Sequence, residues 1–119
     1  MVTFGYIPDR GDIVWLEFTP QSGHEQSGNR PALVISPAAY NKKTGLFVVF
    51  PVTSQIKGYP YEVLIHTPQI SGAILADQIK SLDWRVRNVR FICKADSAVF
   101  SESVGLFSTL LYPEIPFQP

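Results

Sequence analysis

The sequence predicts a small, mainly β domain: a barrel of short strands with one packed helix. Three observations predict it. Short β-rich runs recur from Asp12 to Cys93. Ten prolines among 119 residues, roughly 8% against a usual ~5%, punctuate the chain and keep helices short. Apolar residues keep a helical period only once, near the C-terminal end.

Asp12-Ile-Val-Trp-Leu-Glu-Phe18 alternates, with Ile13, Trp15 and Glu17 on one face and Val14, Leu16 and Phe18 on the other. Thr19 to Asn29, rich in Gly, Ser and Gln, reads as a long loop, the kind that more often carries function. Arg30 to Ser36 is a second strand. Pro37 to Lys42 is one short helical turn, with Ser36 as its cap and Pro37 in the first helical position. Leu46 to Thr53 is nearly continuously apolar, so it is expected to be buried on both faces. Lys57-Gly-Tyr-Pro60 is a turn, and strands follow at Tyr61 to His66 and Gly72 to Asp77. Gln78 to Lys94 is mixed, with a strand at Val89 to Cys93. Ser97 to Leu111 forms a helix with Phe100, Val104, Phe107 and Leu111 on one face, begun at Asp96 or Ser97 and stopped by Pro113. Residues 1–111 are expected to be one domain and 112–119 a loosely held tail.

Composition narrows the class. Apolar residues make up 45% and charged residues 17%, which is globular and too apolar for a disordered chain. Ten basic and ten acidic side chains give a formal net charge of zero, which argues against indiscriminate capture of nucleic acid. The zero is a sum of unlike segments. Residues 1–77 hold five basic and six acidic groups, net −1. Residues 78–94 hold Lys80, Arg85, Arg87, Arg90 and Lys94 against Asp83, net +4. Residues 95–119 hold three acids, net −3. The basic block is a candidate nucleic-acid strip, or else a solvated sheet edge that deters pairing. One cysteine, Cys93, gives no disulfide framework and reads as a core thiol. His24 and His66 lack metal-ligand spacing, and no metal or cofactor is expected. No signal-peptide pattern and no apolar run of ~20 residues is seen, so a cytoplasmic protein without membrane contact is expected.

Gly23-His-Glu-Gln-Ser-Gly-Asn-Arg-Pro31 sets one His, one carboxylate and one Arg beside a strand. By itself it reads as a solvated loop as readily as a site. Its continuation through Ala32-Leu-Val-Ile-Ser-Pro37 resembles the signature of the MazF/PemK toxin family. Pro8-Asp-Arg-Gly-Asp-Ile-Val-Trp15, Pro51-Val-Thr-Ser-Gln55, Lys57-Gly-Tyr-Pro-Tyr-Glu-Val63 and Leu75 to Arg87 resemble the family's other motifs in the same order, and the MazF branch is the nearest. The resemblance covers residues 6–95, and the helix at Ser97 stands where the family has its C-terminal helix.

The resemblance implies an SH3-like antiparallel barrel with short helices, acting as a homodimer. It implies a sequence-specific endoribonuclease, the toxin of a toxin–antitoxin pair, restrained by a MazE-like antitoxin with a disordered acidic tail. It implies metal-free cleavage of single-stranded RNA to a 2′,3′-cyclic phosphate and a 5′-hydroxyl. Arg30 is then the group that stabilises the phosphorane and a candidate proton donor, because its fork matches two phosphate oxygens. Thr53 binds the scissile phosphate. Glu25 is the general base or orients Arg30. RNA contacts are expected from His24, Gln26, Ser54, Gln55, Lys57, Tyr59, Asp77, Gln78, Lys80, Arg85 and Arg87, with Asp77 and Gln78 either reading bases or structural. Phe18, Tyr59 and Tyr61 are candidate stacking rings.

One departure matters. Some relatives place an Arg two residues before the Asp and use that Arg/Asp pair for acid–base work. Here that position is Leu75, before Asp77, so that version of the mechanism does not transfer. Two other readings stay open: a gyrase-inhibiting toxin on the same fold, disfavoured because the chain ends Glu114-Ile-Pro-Phe-Gln-Pro119 instead of near Trp-Gly-Ile, and an inactive homologue that binds only RNA or antitoxin.

Overall fold

The computed structural model describes residues 5–18 and 28–112. It contains strands β1 (Asp12–Phe18), β2 (Gly28–Val34), β3 (Leu46–Thr53), β4 (Glu62–His66), β5 (Ser71–Leu75), β6 (Lys80–Asp83) and β7 (Arg90–Lys94). Helix α1 (Ala38–Thr44), a 3-10 turn (Trp84–Val86) and helix α2 (Ser97–Ser108) complete it. Every pairing is antiparallel, in the order β4-β5-β3-β2-β1-β7, with β6 also on β3. The sheet curls into a half-barrel, so the expected mainly β class holds.

Alternation along the strands divides the apolar residues between two faces. One face joins Ile13, Leu33, Phe50, Val52, Val63, Ile65 and Ile74, and is covered by Val99, Phe100, Leu106 and Phe107 of α2. Phe50 and Phe107 meet there with ring centroids 5.7 Å apart. The other face joins Val14, Leu16, Phe18, Ala32, Val34, Phe47, Val49 and Trp84. β3 supplies both, which is why its sequence shows no alternation.

Several boundaries move, each for a local reason. β2 begins at Gly28, inside the expected loop, because Phe18 pairs with Gly28 and Glu17 with Asn29. β6 and the 3-10 turn occupy the mixed stretch, where four residues are too few to show a period. Ser36 does not cap α1. Its hydroxyl donates to Asn41 Oδ1 at 2.6 Å and accepts the Val48 N–H at 2.8 Å. Pro37 takes the cap position, and Asp9 accepts the Ala38 N–H at 2.8 Å from across the fold. That bond, then the Arg10 N–H, holds the Asp9 carboxyl below its ordinary range. Asp96 takes the cap position of α2 without a side-chain bond. α2 stops at Ser108, where the Ser108 and Thr109 hydroxyls turn back onto the Val104 and Leu106 carbonyls. Phe100 and Phe107 reach the core; Leu111 is exposed. Residues 113–119 of the expected tail, and Pro113 as helix stop, lie outside the described residues.

Two contacts fix the fold around β3. Asn41 is fully buried, and its amide donates to Pro8 O at 2.8 Å and Ser36 O at 3.0 Å. Gly72 lies so close to β3 that an added Cβ would stand 2.3 Å from the Thr53 carbonyl oxygen. Any side chain there would push β5 off Thr53.

Two outcomes follow. Asn41→Ala strands buried acceptors and lowers stability by about 2–4 kcal/mol, read as a lower urea midpoint with unchanged slope; an unchanged midpoint contradicts the role given to Asn41. Gly72→Ala costs about 1–3 kcal/mol and speeds amide exchange at Thr53 and Ala73, which pair directly. Wild-type exchange at both amides would show that β5 is not held by that approach.

Candidate active site

The second apolar face becomes polar at one end. Along β2 the residues on that face run Val34, Ala32, Arg30; along β3 they run Phe47, Val49, Pro51, Thr53; along β6, Leu82 then Lys80. One edge of β3 is divided between two partners. β6 pairs with Leu46 to Val49 and β5 with Val52 and Thr53. β5 and β6 separate at Phe50 and Pro51, and a cleft of about 420 Å³ opens beside the gap. Phe18, Pro51, Leu75 and Leu82 form its apolar wall.

The remaining lining is strongly charged. Among the described residues, Arg30, Lys57, Lys80 and Arg87 face a single carboxylate, Glu62. Glu62 is engaged with backbone: it accepts the N–H groups of Lys57, Gly58 and Tyr59 at 2.9–3.2 Å. Arg87 is pinned to β1, where its Nη1 donates to Glu17 O at 3.3 Å and its carbonyl accepts the Glu17 N–H at 2.9 Å. The Nε groups of Arg30 and Arg87 are both buried with no acceptor among the described residues. An unmatched buried donor is costly, and both of these belong to residues that line the cleft. Thr53 Oγ1 accepts the Gln55 N–H at 3.1 Å, which leaves its own proton to donate. Tyr59 donates to Asp77 Oδ2 at 2.7 Å, and that bond, with the Asp77 charge, raises the phenol pKa and keeps it protonated.

The cleft gathers Arg30, Thr53, Gln55, Lys57, Tyr59, Gln78, Lys80 and Arg87 from four separate stretches of the sequence. Ser54, in the bend just after β3, is exposed and does not line it. Asp77 stands behind Tyr59, outside the wall. Arg85 is elsewhere. The 3-10 turn lays it over the Trp84 ring at 5.5 Å, and its Nη2 donates to Lys42 O at 2.6 Å. The basic block is therefore not one strip. Lys80 and Arg87 enter the cleft, Arg90 lines a second hollow with Trp15 and Phe91, and Lys94 pairs with Asp12 at 2.6 Å. Tyr61 is buried, with its hydroxyl 3.2 Å from Thr109 Oγ1, so it offers no open ring. His24, Glu25 and Gln26 lie outside the described residues.

Glu62 is the cleft residue the sequence reading passed over. The signal for it is the positive φ of Gly58, which turns successive N–H groups toward one carboxylate. His66 is bound across strands to Ser71 Oγ at 2.6 Å, and Cys93 is half-buried against the α2-covered core. Among the described residues, no three of His, Cys, Asp and Glu gather as metal ligands. The cleft can therefore bind an extended anion through two guanidiniums and a hydroxyl, with a ring at its mouth.

Residues 9–104 match the family described as PemK-like, MazF-like toxin of type II toxin–antitoxin systems. The endoribonuclease toxin MazF of Escherichia coli K12 is 51% identical over 82 residues, which is 69% of this chain and 74% of that protein. A crystal structure of MazF from Deinococcus radiodurans superposes with a TM-score of 0.82 at 53% identity, covering 89% of this chain and 97% of that one. A MazE–MazF complex from the same organism gives 0.82 at 53% identity, covering 89% and 96%. The chain belongs to the PemK-like, MazF-like family of type II toxins.

Proposed function

We propose that this chain is an endoribonuclease toxin that cleaves single-stranded RNA in the cleft by attack of the RNA's own 2′-hydroxyl. The products are a 2′,3′-cyclic phosphate and a 5′-hydroxyl. The observation that carries this reading is the pair of buried, unmatched guanidinium N–H groups beside the Thr53 hydroxyl in one basic cleft. The reaction needs charge stabilisation where the phosphorane gains negative charge, a proton acceptor for the 2′-hydroxyl and a donor for the leaving oxygen. Its nucleophile belongs to the substrate, so no metal-bound water is required.

Arg30 binds the phosphorane oxygens, and Thr53 donates to the scissile phosphate. Glu25 serves as general base or orients Arg30. Arg87, Lys57 and Lys80 hold neighbouring phosphates, while Gln55 and Gln78 offer amides to base edges. Two copies of the chain form the working dimer, for which exposed Leu64, Val86 and Phe91 supply apolar surface. The antitoxin's acidic tail competes with RNA for the same cations. The setting is the cytoplasm; among the described residues no helix is long and apolar enough to cross a membrane.

Arg30→Ala and Thr53→Val are each expected to lower cleavage by about 100-fold or more while the unfolding transition stays in place. Full cleavage by Arg30→Ala overturns the reading. In excess chelator the wild-type chain is expected to cut at an unchanged rate, leaving 5′-hydroxyl ends that accept phosphate directly from a polynucleotide kinase. Ends that already carry a 5′-phosphate, or cutting abolished by chelator, contradict the mechanism.

A further inference from the structure

Tyr59 is 48% exposed, yet both ends of the residue are fixed. Glu62 grips its turn through three N–H groups, and the Glu62 N–H in turn donates to Tyr59 O at 3.0 Å. The phenol is bound to Asp77 at 2.7 Å. The ring lies against buried Tyr61, centroids 6.1 Å apart and planes tilted by 50°. Phe18, the other aromatic ring of the described lining, is 8% exposed and has little open face.

An exposed side chain ordinarily samples several rotamers, and ordering it opposes binding. Here that ordering is already done. The ring is a platform for an unpaired base, standing beside a cleft suited to a phosphate chain. Asp77 is built to hold it. Its Oδ2 is taken by the phenol, its Oδ1 is buried without a partner among the described residues, and the residue does not line the cleft.

We infer that Asp77 is a positioning residue that acts through Tyr59, fixing the ring so that one base of the substrate stacks on it. This rests on the reading that the cleft binds RNA. Asp77 then governs how tightly RNA binds and takes no part in proton transfer. Its effect passes wholly through the Tyr59 ring.

The test uses the full chain and a single-stranded RNA carrying its own cleavage site, mapped beforehand on a long transcript. For binding, the cleaved nucleotide is 2′-deoxy, and 2-aminopurine is placed at each flanking position in turn. Tyr59→Leu is expected to weaken binding about tenfold and to abolish the fluorescence quench at one position. Its cleavage at RNA concentrations well below saturation is expected to fall by about the same factor. Asp77→Ala is expected to weaken binding several-fold, to add nothing in the Tyr59→Leu background, and to be largely rescued by Asp77→Asn, which keeps an acceptor oxygen. A drop of more than tenfold in the saturating rate of Asp77→Ala, multiplied effects in the double variant, or an Asp77→Asn no better than Asp77→Ala overturns the inference. Arg30→Ala separates the two levels. If it still cuts, the cleft itself is wrong; if it is dead while Tyr59→Leu binds and quenches like wild type, only the platform falls.

Discussion

The described structure depends on the hydrogen bonding of β3. One of its edges belongs to β2; the other is divided between β6 and β5, which part at Phe50 and Pro51. Pro51 has no N–H to donate, so it suits the point where pairing on that edge lapses. The lapse opens the cleft. It also aims Thr53, the next residue on the same face, into it. Gly72 keeps β5 close enough to hold Thr53 in register despite the gap. Arg30 is placed by the same arrangement, two residues before Ala32, which pairs with Pro51.

The cleft is the unfinished end of a core. Phe18, Pro51 and Leu82 belong to a face that deeper in the molecule is closed by Phe47, Val49 and Trp84. Apolar walls exclude water and strengthen the fields of the cations set among them. The opposite end of the sheet is closed by polar bonds. Buried Asp12 receives the Tyr6 hydroxyl, the Asp9 N–H and Lys94, which ties the N-terminal segment, β1 and β7 together. Burial, then the bond to Asp12, raises the Tyr6 phenol pKa, so this link persists across the ordinary pH range. The cleft end is thus left open, while the opposite end of the sheet is tied shut.

The charge pattern bears on selectivity. A formal net charge of zero gives no long-range pull on nucleic acid, while the four cations of the described cleft lining give a strong local one. Such a surface favours ligands that fit over ligands that are merely anionic. Glu62 offsets one of these charges, while its oxygens are held by the Lys57–Tyr59 backbone. An acidic peptide long enough to reach several of these cations would compete with RNA on equal electrostatic terms.

The sequence alone determined the strands with clean alternation or sustained apolar character: β1 and β3 were legible to the residue, β4 and β7 to within one residue, and β5 to within two. Its motifs also pointed to Arg30 and Thr53, because residue type and order along a chain are what a motif records. It could not show β6, which is four residues long and has no period of its own, nor the cap on Ala38, supplied by Asp9 29 positions earlier. It grouped five cations by their nearness in sequence, and the fold sent them to different places, since a 3-10 turn and a strand rotate successive side chains apart. Only the tertiary structure decided that Lys80 and Arg87 join Arg30 while Arg85 packs on Trp84, and that Asp77 stands behind Tyr59. The physical reason is that periodicity and turn chemistry are local properties of the chain. Which polar groups share a cleft depends on strand register, and register is set by contacts between residues far apart in sequence.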